Sequence, residues 1–302
     1  MQHRSKKAVI AALFGNLGIA IFKLVAALFS SSSSMLAESY HSMSDTLNQV
    51  LLLYGLKRSQ RPPDEHHRFG YGKEQFFWSF VVAMMLFGIA GTLSIREGYH
   101  KFLHPEPISH LSLTYLAIAV GLMFDGYALS IAVKSIKSEM KTEQYRNFIE
   151  AVLQSKDPTI LTVFFEDVIA LAGLLIAAIA ITLVHFTGIL ILDAIASIII
   201  GILLMVFAII LAWETKNLLV GEAVTLLKRN KILKAVGSFD EVKKIISLKT
   251  MHLSAEEVLV TLEINYRDDL IVDELEEVNN RIEKKIKDII PRAKVYLEAE
   301  NE

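Results

Sequence analysis

The chain has no cysteine among its 302 residues. That absence removes disulfides, thiolate metal sites and cysteine nucleophiles together, so any bound metal must be held by His, Asp and Glu. The formal net charge is only −2. Nucleic-acid binders carry a concentrated basic face, so nucleic acid is not an expected partner. There is no HExxH motif and no activated nucleophile set beside a base, which argues against an intramembrane metalloenzyme and against hydrolysis. Polarity is also scarce, since 53% of the side chains are hydrophobic. That share is high for a soluble globular chain. The start, Met1-Gln2-His3-Arg4-Ser5-Lys6-Lys7 and then an apolar run, superficially resembles a signal peptide. The run extends far beyond a signal core and has no convincing cleavage site, so it reads as a retained first span.

Crossing the hydrocarbon core of a bilayer takes roughly 20 mostly apolar residues. Runs of that kind predict six transmembrane helices, over 8–29, 34–56, 76–99, 111–133, 159–185 and 189–213. The second is the most polar: it carries Glu38, His41, Asp45, Asn48 and Gln49, which must face the bundle interior or water. Cytoplasmic loops are enriched in Lys and Arg. Arg4, Lys6 and Lys7 precede the first span; Lys57, Arg58, Arg61, Arg68 and Lys73 follow the second; Lys134, Lys137, Lys141, Arg146 and Lys156 follow the fourth. The other loops are nearly bare, so both termini are expected to be cytoplasmic. No transit-peptide-like segment precedes the first span, which points to the cytoplasmic membrane of a prokaryote.

The composition changes after Trp213. Residues 1–219 read as the membrane domain and 220–302 as a cytoplasmic α+β domain of order α-β-β-α-β. A helix is predicted over 228–236, and strands over 243–252 and 257–266. Val258, Val260, Leu262 and Ile264 alternate with Thr261, Glu263 and Asn265, the period of a half-buried strand. Ile271, Leu275, Val278, Ile282 and Ile286 recur at helical spacing, and 293–298 reads as a last strand. Two adjacent strands plus one returning across a helix suit a compact sheet with helices on one face.

Within the second span, His41 and Asp45 are four residues apart and therefore share a helix face, where they can grip one ion. Asn48 continues that face. An imidazole with a carboxylate suits zinc, cobalt, iron or manganese. The plainer reading is a His–Asp pair that locks two helices together. Ionisable residues at mid-membrane point to function by default.

This chain resembles the cation diffusion facilitator family, in which an HxxxD pair on the second span and an acidic motif on the fifth form the transported-ion site. The resemblance rests on more than that pair. Asn16, the loop Asp64-Glu65-His66-His67-Arg68-Phe69-Gly70-Tyr71-Gly72-Lys73-Glu74, Asp193 and the C-terminal element order all fall where the family has them. The match covers nearly the whole chain. On the fifth span the usual His four residues before the Asp is absent: Val163 stands there, ahead of Asp167. Asp157-Pro158-Thr159 and Phe165-Glu166-Asp167 resemble the branch containing the animal mitochondrial zinc exporter, which also lacks that His. The resemblance implies an ion held by His41, Asp45 and Asp167, with a fourth donor open.

Glu166, Asp125 or a water are the candidates for that donor. Glu166 points about 100° away from Asp167 around a regular helix, so it reaches the ion only if the helix is distorted. Asp125 is favoured because a mid-span carboxylate needs an interior partner, and a pairing with Lys23 on the first span meets the same need. A carboxylate-rich shell leans toward harder ions, which keeps iron and manganese open beside zinc.

Many bacterial members carry a second zinc site in the loop after the second span. The matching positions here are Asp64, His67 and Tyr71, where a phenol replaces an imidazole, so a solvated loop is the favoured reading. In the C-terminal domain, Ile246 and Thr261 stand where two imidazoles are expected, and Glu298 and Glu300 resemble the last-strand ligands. A lone His252 does not rebuild that site, so the domain is expected to serve as a homodimerisation platform. Asp193 either lines an exit path or is a hydrated helix N-terminal residue. Glu97, His100, His104, Glu106 and His110 read as a solvated loop.

The family resemblance implies an antiporter, with the divalent metal leaving the cytoplasm in exchange for protons. Metal binding needs neutral imidazole and ionised carboxylates, and an unperturbed imidazole titrates at roughly 6.5, so protons and metal compete for the same ligands. The rival reading is a non-transporting scaffold or metal sensor anchored in the lipid bilayer.

Overall fold

The computed structural model describes residues 2–143, 147–154 and 158–301, with side chains placed for 13, 15–138, 140, 147–149, 151–152 and 164–301. Arg146, Lys156 and Asp157 lie outside the described residues, as do the side chains of Arg4, Lys6, Lys7, Lys141, Pro158, Thr159 and Val163. The chain divides into two compact units, one of residues up to Leu56 with Phe77–Thr215, the other of Lys57–Phe76 with Lys216–Glu302.

The first unit is helical. Helix α1 (Gln2–Ser30) turns through Ser31, at φ 54°, into α2 (Ser33–Ser59). A continuous rod then runs through α3 (Glu74–Met85), a π-helical turn (Leu86–Gly91) and α4 (Thr92–Leu103). It is followed by α5 (Leu111–Glu143), the short α6 (Phe148–Gln154), α7 (Pro158–Thr187) and α8 (Ile191–Val220). Among the described residues, four helices are long and apolar enough to cross a membrane: Glu74–Leu103, Leu111–Ser138, Phe164–Thr187 and Ile191–Val220. The described apolar stretch of α1, Gly15–Ser30, is shorter. Helix α2 has 27 residues, about 40 Å at 1.5 Å per residue. Its polar residues turn inward, with Glu38, His41 and Asn48 fully buried. Leu28, Met123, Ile179 and Ile209 instead face outward, which suits a lipid solvent.

The π turn interrupts what the sequence pattern predicts as one regular span over 76–99. Thr92 Oγ1 donates to Phe87 O, five residues back, at 3.2 Å. The same stretch is packed tightly on α8. A Cβ at Gly201 would sit 3.0 Å from Gly91 O and 2.9 Å from Ile95 N, so the backbones approach as only small residues allow. Ser197 Oγ also donates to Ser94 O at 2.9 Å.

In the second unit, α9 (Leu226–Val236) is capped by Thr225, whose hydroxyl accepts from Lys228 N at 3.4 Å. Strands β1 (Val242–His252) and β2 (Val258–Tyr266) pair antiparallel, α10 (Val272–Ile289) crosses over, and β3 (Ala293–Ala299) pairs parallel with β2. The sheet order is β1-β2-β3. A parallel pair cannot be joined by a tight turn, which is why the helix lies between β2 and β3. Val258, Val260, Leu262 and Ile264 bury one face of β2 against Val278, Ile282 and Ile286 of α10 and Ile232 and Val236 of α9. The 57–76 loop belongs to this unit because polar contacts pin it there. Lys73 Nζ donates to Leu219 O and Lys294 Nζ to Phe69 O, both at 3.1 Å.

Candidate metal site

Four helices of the first unit line a partly open cavity of about 470 Å³. Helix α2 lines it with Ser42, Asp45 and Gln49, spaced three and four residues apart as one helix face requires. Asn16 comes from α1, Asp125 from α5, and Glu166 and Asp167 from α7. Behind that wall, His41 is fully buried, with Nδ1 3.3 Å from Asp45 Oδ1. Their approach lacks hydrogen-bond geometry: both ring nitrogens and Asp45 Oδ1 are without a hydrogen-bond partner among the described residues. Asp167 Oδ2 is orphaned in the same way. Buried polar atoms are normally satisfied, and a cluster left unsatisfied calls for an explanation such as an ion. Among the described residues, no three His, Asp or Glu side chains close into a group able to hold a metal ion. The donors are therefore gathered around a cavity wider than one coordination shell.

The adjacent acids are engaged differently. Asn48 Nδ2 donates to Glu166 Oε1 at 2.9 Å, so Asn48 clamps a carboxylate on α7 rather than extending the His41–Asp45 pair. Glu166 and Asp167 both line the cavity although neighbours diverge around a helix, because the cavity is broad. Asp125 meets Lys23, with Oδ2 3.2 Å from Nζ. Lys23 also meets Glu38 Oε2 at 3.3 Å, a contact between α1 and α2 that the local sequence pattern did not reveal. The signal available for it was the placement of a Lys and a Glu inside two spans, where each needs an opposite charge.

Asp193 neither lines this cavity nor sits hydrated. It is buried at the start of α8 and accepts hydrogen bonds from Ser32 Oγ (2.8 Å), Ser33 N (2.6 Å), Ser33 Oγ (3.0 Å), Ser34 N (3.2 Å) and Ser34 Oγ. A carboxylate from one helix thus caps the N-terminus of another, α2, which carries His41 and Asp45.

In the loop of the second unit, Asp64 has both oxygens occupied. Oδ2 accepts from the Tyr71 hydroxyl at 2.6 Å, and Oδ1 from His67 N (2.7 Å) and His66 N (3.0 Å). The Tyr71 bond, followed by the His67 N–H, holds the Asp64 carboxyl below the usual carboxylate range. His67 Nδ1 lies 3.5 Å from Asp64 Oδ1 while its ring packs on Tyr71. At the end of α4, Lys101, itself buried, pairs with the exposed Glu106 at 3.1 Å; Glu97 and His100 lie on α4 rather than in a loop, while His104 and His110 are exposed beyond it. Glu298 of β3 stands opposite Glu263 of β2, which pairs with Lys249 at 2.9 Å.

Comparison with known proteins matches two family domains. The cation efflux transmembrane domain covers residues 9–220, and the cation efflux protein cytoplasmic domain covers 226–302. The chain belongs to the cation efflux, or cation diffusion facilitator, family. It is 32% identical to metal tolerance protein C4 of Arabidopsis thaliana over 271 residues, 90% of this chain and 59% of that protein. It is 29% identical to the mitochondrial proton-coupled zinc antiporter SLC30A9 of Xenopus laevis over 266 residues, 88% of this chain and 47% of that protein. The chain spans about half the length of these curated relatives. Among solved structures, a MamM C-terminal domain is similar with a TM-score of 0.23 at 17% identity, over 25% of this chain and 95% of that one.

Proposed function

We propose that the protein carries a divalent metal cation, zinc first among them, across a membrane in exchange for protons, and that His41, Asp45 and Asp167 are the ligands. The observation that carries this reading is a set of orphaned polar atoms at one cavity: Asp45 Oδ1 and Asp167 Oδ2 belong to residues that line it, and both nitrogens of His41 lie beside Asp45 behind its wall. Imidazole and carboxylate together form a zinc-compatible donor set without thiolate, consistent with a cysteine-free chain. Glu166 is the fourth donor in this reading, since it shares the cavity with Asp167 and needs only to leave Asn48. The spread of the donors fits a state from which the helices must close on the ion. Protons compete for the same carboxylates and imidazole, which supplies a chemical basis for exchange. The relatives named as metal tolerance protein and proton-coupled zinc antiporter support the same assignment.

The distribution of Lys and Arg supports cytoplasmic termini, and the family's cytoplasmic domain supports a role for the α/β unit in forming a homodimer. The test is metal uptake into proteoliposomes loaded with a zinc indicator, with and without an imposed pH gradient. Removing even a supporting group commonly weakens a metal site 10–100-fold, so His41→Ala, Asp45→Ala and Asp167→Ala are expected to lower flux by about 100-fold or more. Flux that survives these substitutions overturns the ligand assignment; flux indifferent to the gradient overturns proton exchange.

A further inference from the structure

We propose that Lys23 determines which metal the cavity prefers: its ammonium is a tethered cation that withholds Asp125 from the ion, keeping the donor set poor in carboxylate. The inference rests on the transport-site reading above and adds a residue to it.

Lys23 is fully buried, as is Glu38, so its ammonium has these carboxylates in place of water. One positive charge faces two carboxylates, at 3.3 Å from Glu38 and 3.2 Å from Asp125. The two partners differ in freedom. Glu38 is wedged: a Cβ on Gly173 would lie 2.0 Å from its Oε1, so α7 closes directly over it. Lys23 is held as well, because a Cβ on Gly121 of α5 would lie 2.9 Å from its Cε. Asp125 is 20% exposed and lines the cavity beside Asp45 and Asp167. It is thus the one partner that could turn to an ion in the cavity, and the Lys23 charge is what keeps it back.

An unpaired carboxylate in a low-dielectric interior takes the nearest cation. Without Lys23, that cation is the metal, and the shell gains an oxygen donor. Added carboxylate favours manganese relative to zinc, because harder ions suit oxygen ligands. Loss of the lysine charge by itself strengthens binding of both dications alike, so the ratio of affinities carries the information.

The experiment measures zinc and manganese dissociation constants of the full chain in detergent at one fixed pH, by competition with a fluorescent chelator. Lys23→Met is expected to shift the zinc-to-manganese preference toward manganese by about tenfold, the equivalent of 1.4 kcal/mol. Asp125→Asn added to Lys23→Met should restore the original ratio. Asp125→Asn alone should leave the ratio as in the unsubstituted protein, and this variant keeps the buried Lys23–Glu38 pair should Lys23→Met fail to fold. A folded Lys23→Met with an unchanged ratio, a shift that persists in the double variant, or a changed ratio in Asp125→Asn alone each overturns the proposal. Asp45→Ala serves as the reference. If it leaves zinc binding intact, the transport-site reading fails; if it abolishes binding while Lys23→Met leaves the ratio unmoved, only the role of Lys23 fails.

Discussion

The two units share the habit of burying an apolar core but differ in the charge and polarity they bury beside it. In the α/β unit the interior is apolar, with Val260, Ile264, Ile282 and Ile286 fully buried, and charge stays outside in pairs such as Lys243–Asp268 and Arg292–Glu256. The helical unit has an apolar core too, with Met35, Leu86, Leu174 and Leu204 fully buried, but it also buries Lys23, Glu38, His41 and Asn48, several of whose atoms have no hydrogen-bond partner among the described residues. Burial of apolar surface is a source of stability; burial of an unsatisfied polar group costs about 1–3 kcal/mol. The first interior is therefore organised for folding, and the second carries polarity at the expense of stability, as functional sites do.

The sharpest way to break that contrast is to exchange polarity for packing in each unit. His41→Leu removes two orphaned nitrogens and no hydrogen bond, so the full chain in detergent should melt at the same temperature or higher while metal flux is lost. Ile282→Ala, by contrast, opens a cavity beneath the sheet and should cost about 2–5 kcal/mol of stability in the α/β unit. Hydrogen exchange on the β2 amides reads that loss directly. A His41→Leu protein that melts lower than Ile282→Ala would show that the polar interior is structural, and the contrast would not stand.

Asp193 is the exception within the helical unit, a buried charge that is fully employed. Five donors from Ser32, Ser33 and Ser34 converge on it. Asp193→Asn keeps the size but turns an amide toward hydroxyl and backbone donors, and should cost about 2 kcal/mol through lost charged hydrogen bonds. Zinc binding should weaken less than in Asp45→Ala, because the cap positions α2 without reaching the cavity. A melting temperature unmoved by Asp193→Asn would place that carboxylate among idle charges.

What the sequence shows plainly is whatever repeats locally. The alternation of Val258, Val260, Leu262 and Ile264 indicates β2, which begins one residue after its expected start and ends where expected, and the spacing of Leu275, Val278, Ile282 and Ile286 indicates α10, which contains all four. The cavity residues Asp45 and Asp167 stand out because charges are rare in apolar runs. Contacts between distant positions leave no periodic trace, and the Lys23–Asp125 pairing is open to the sequence only because a charge inside a span needs a partner. Ser33 and Asp193 are 160 residues apart, and neither periodicity nor a rule about buried charge links them. The π turn is invisible for another reason: it changes a helix by one residue without changing its composition, and only Gly88 and Gly91 hint at it.

The smallest effect lies in the loop of the α/β unit, where the charges are exposed and the contrast with the helical interior is greatest. The Tyr71 hydroxyl holds the Asp64 carboxyl below its ordinary value, so the folded loop prefers ionised Asp64. A depressed folded value means that the contribution is present above the unfolded carboxylate range and is lost as pH falls through the folded value. Tyr71→Phe removes the strongest cause and leaves the His67 and His66 N–H donors in place, so the Asp64 midpoint should rise part of the way toward an ordinary carboxylate. The side-chain carboxyl carbon shift of Asp64, followed through an acid titration, measures this. A midpoint that stays where it was in Tyr71→Phe would mean that the backbone turn alone sets the charge of Asp64, leaving the phenol free for another partner.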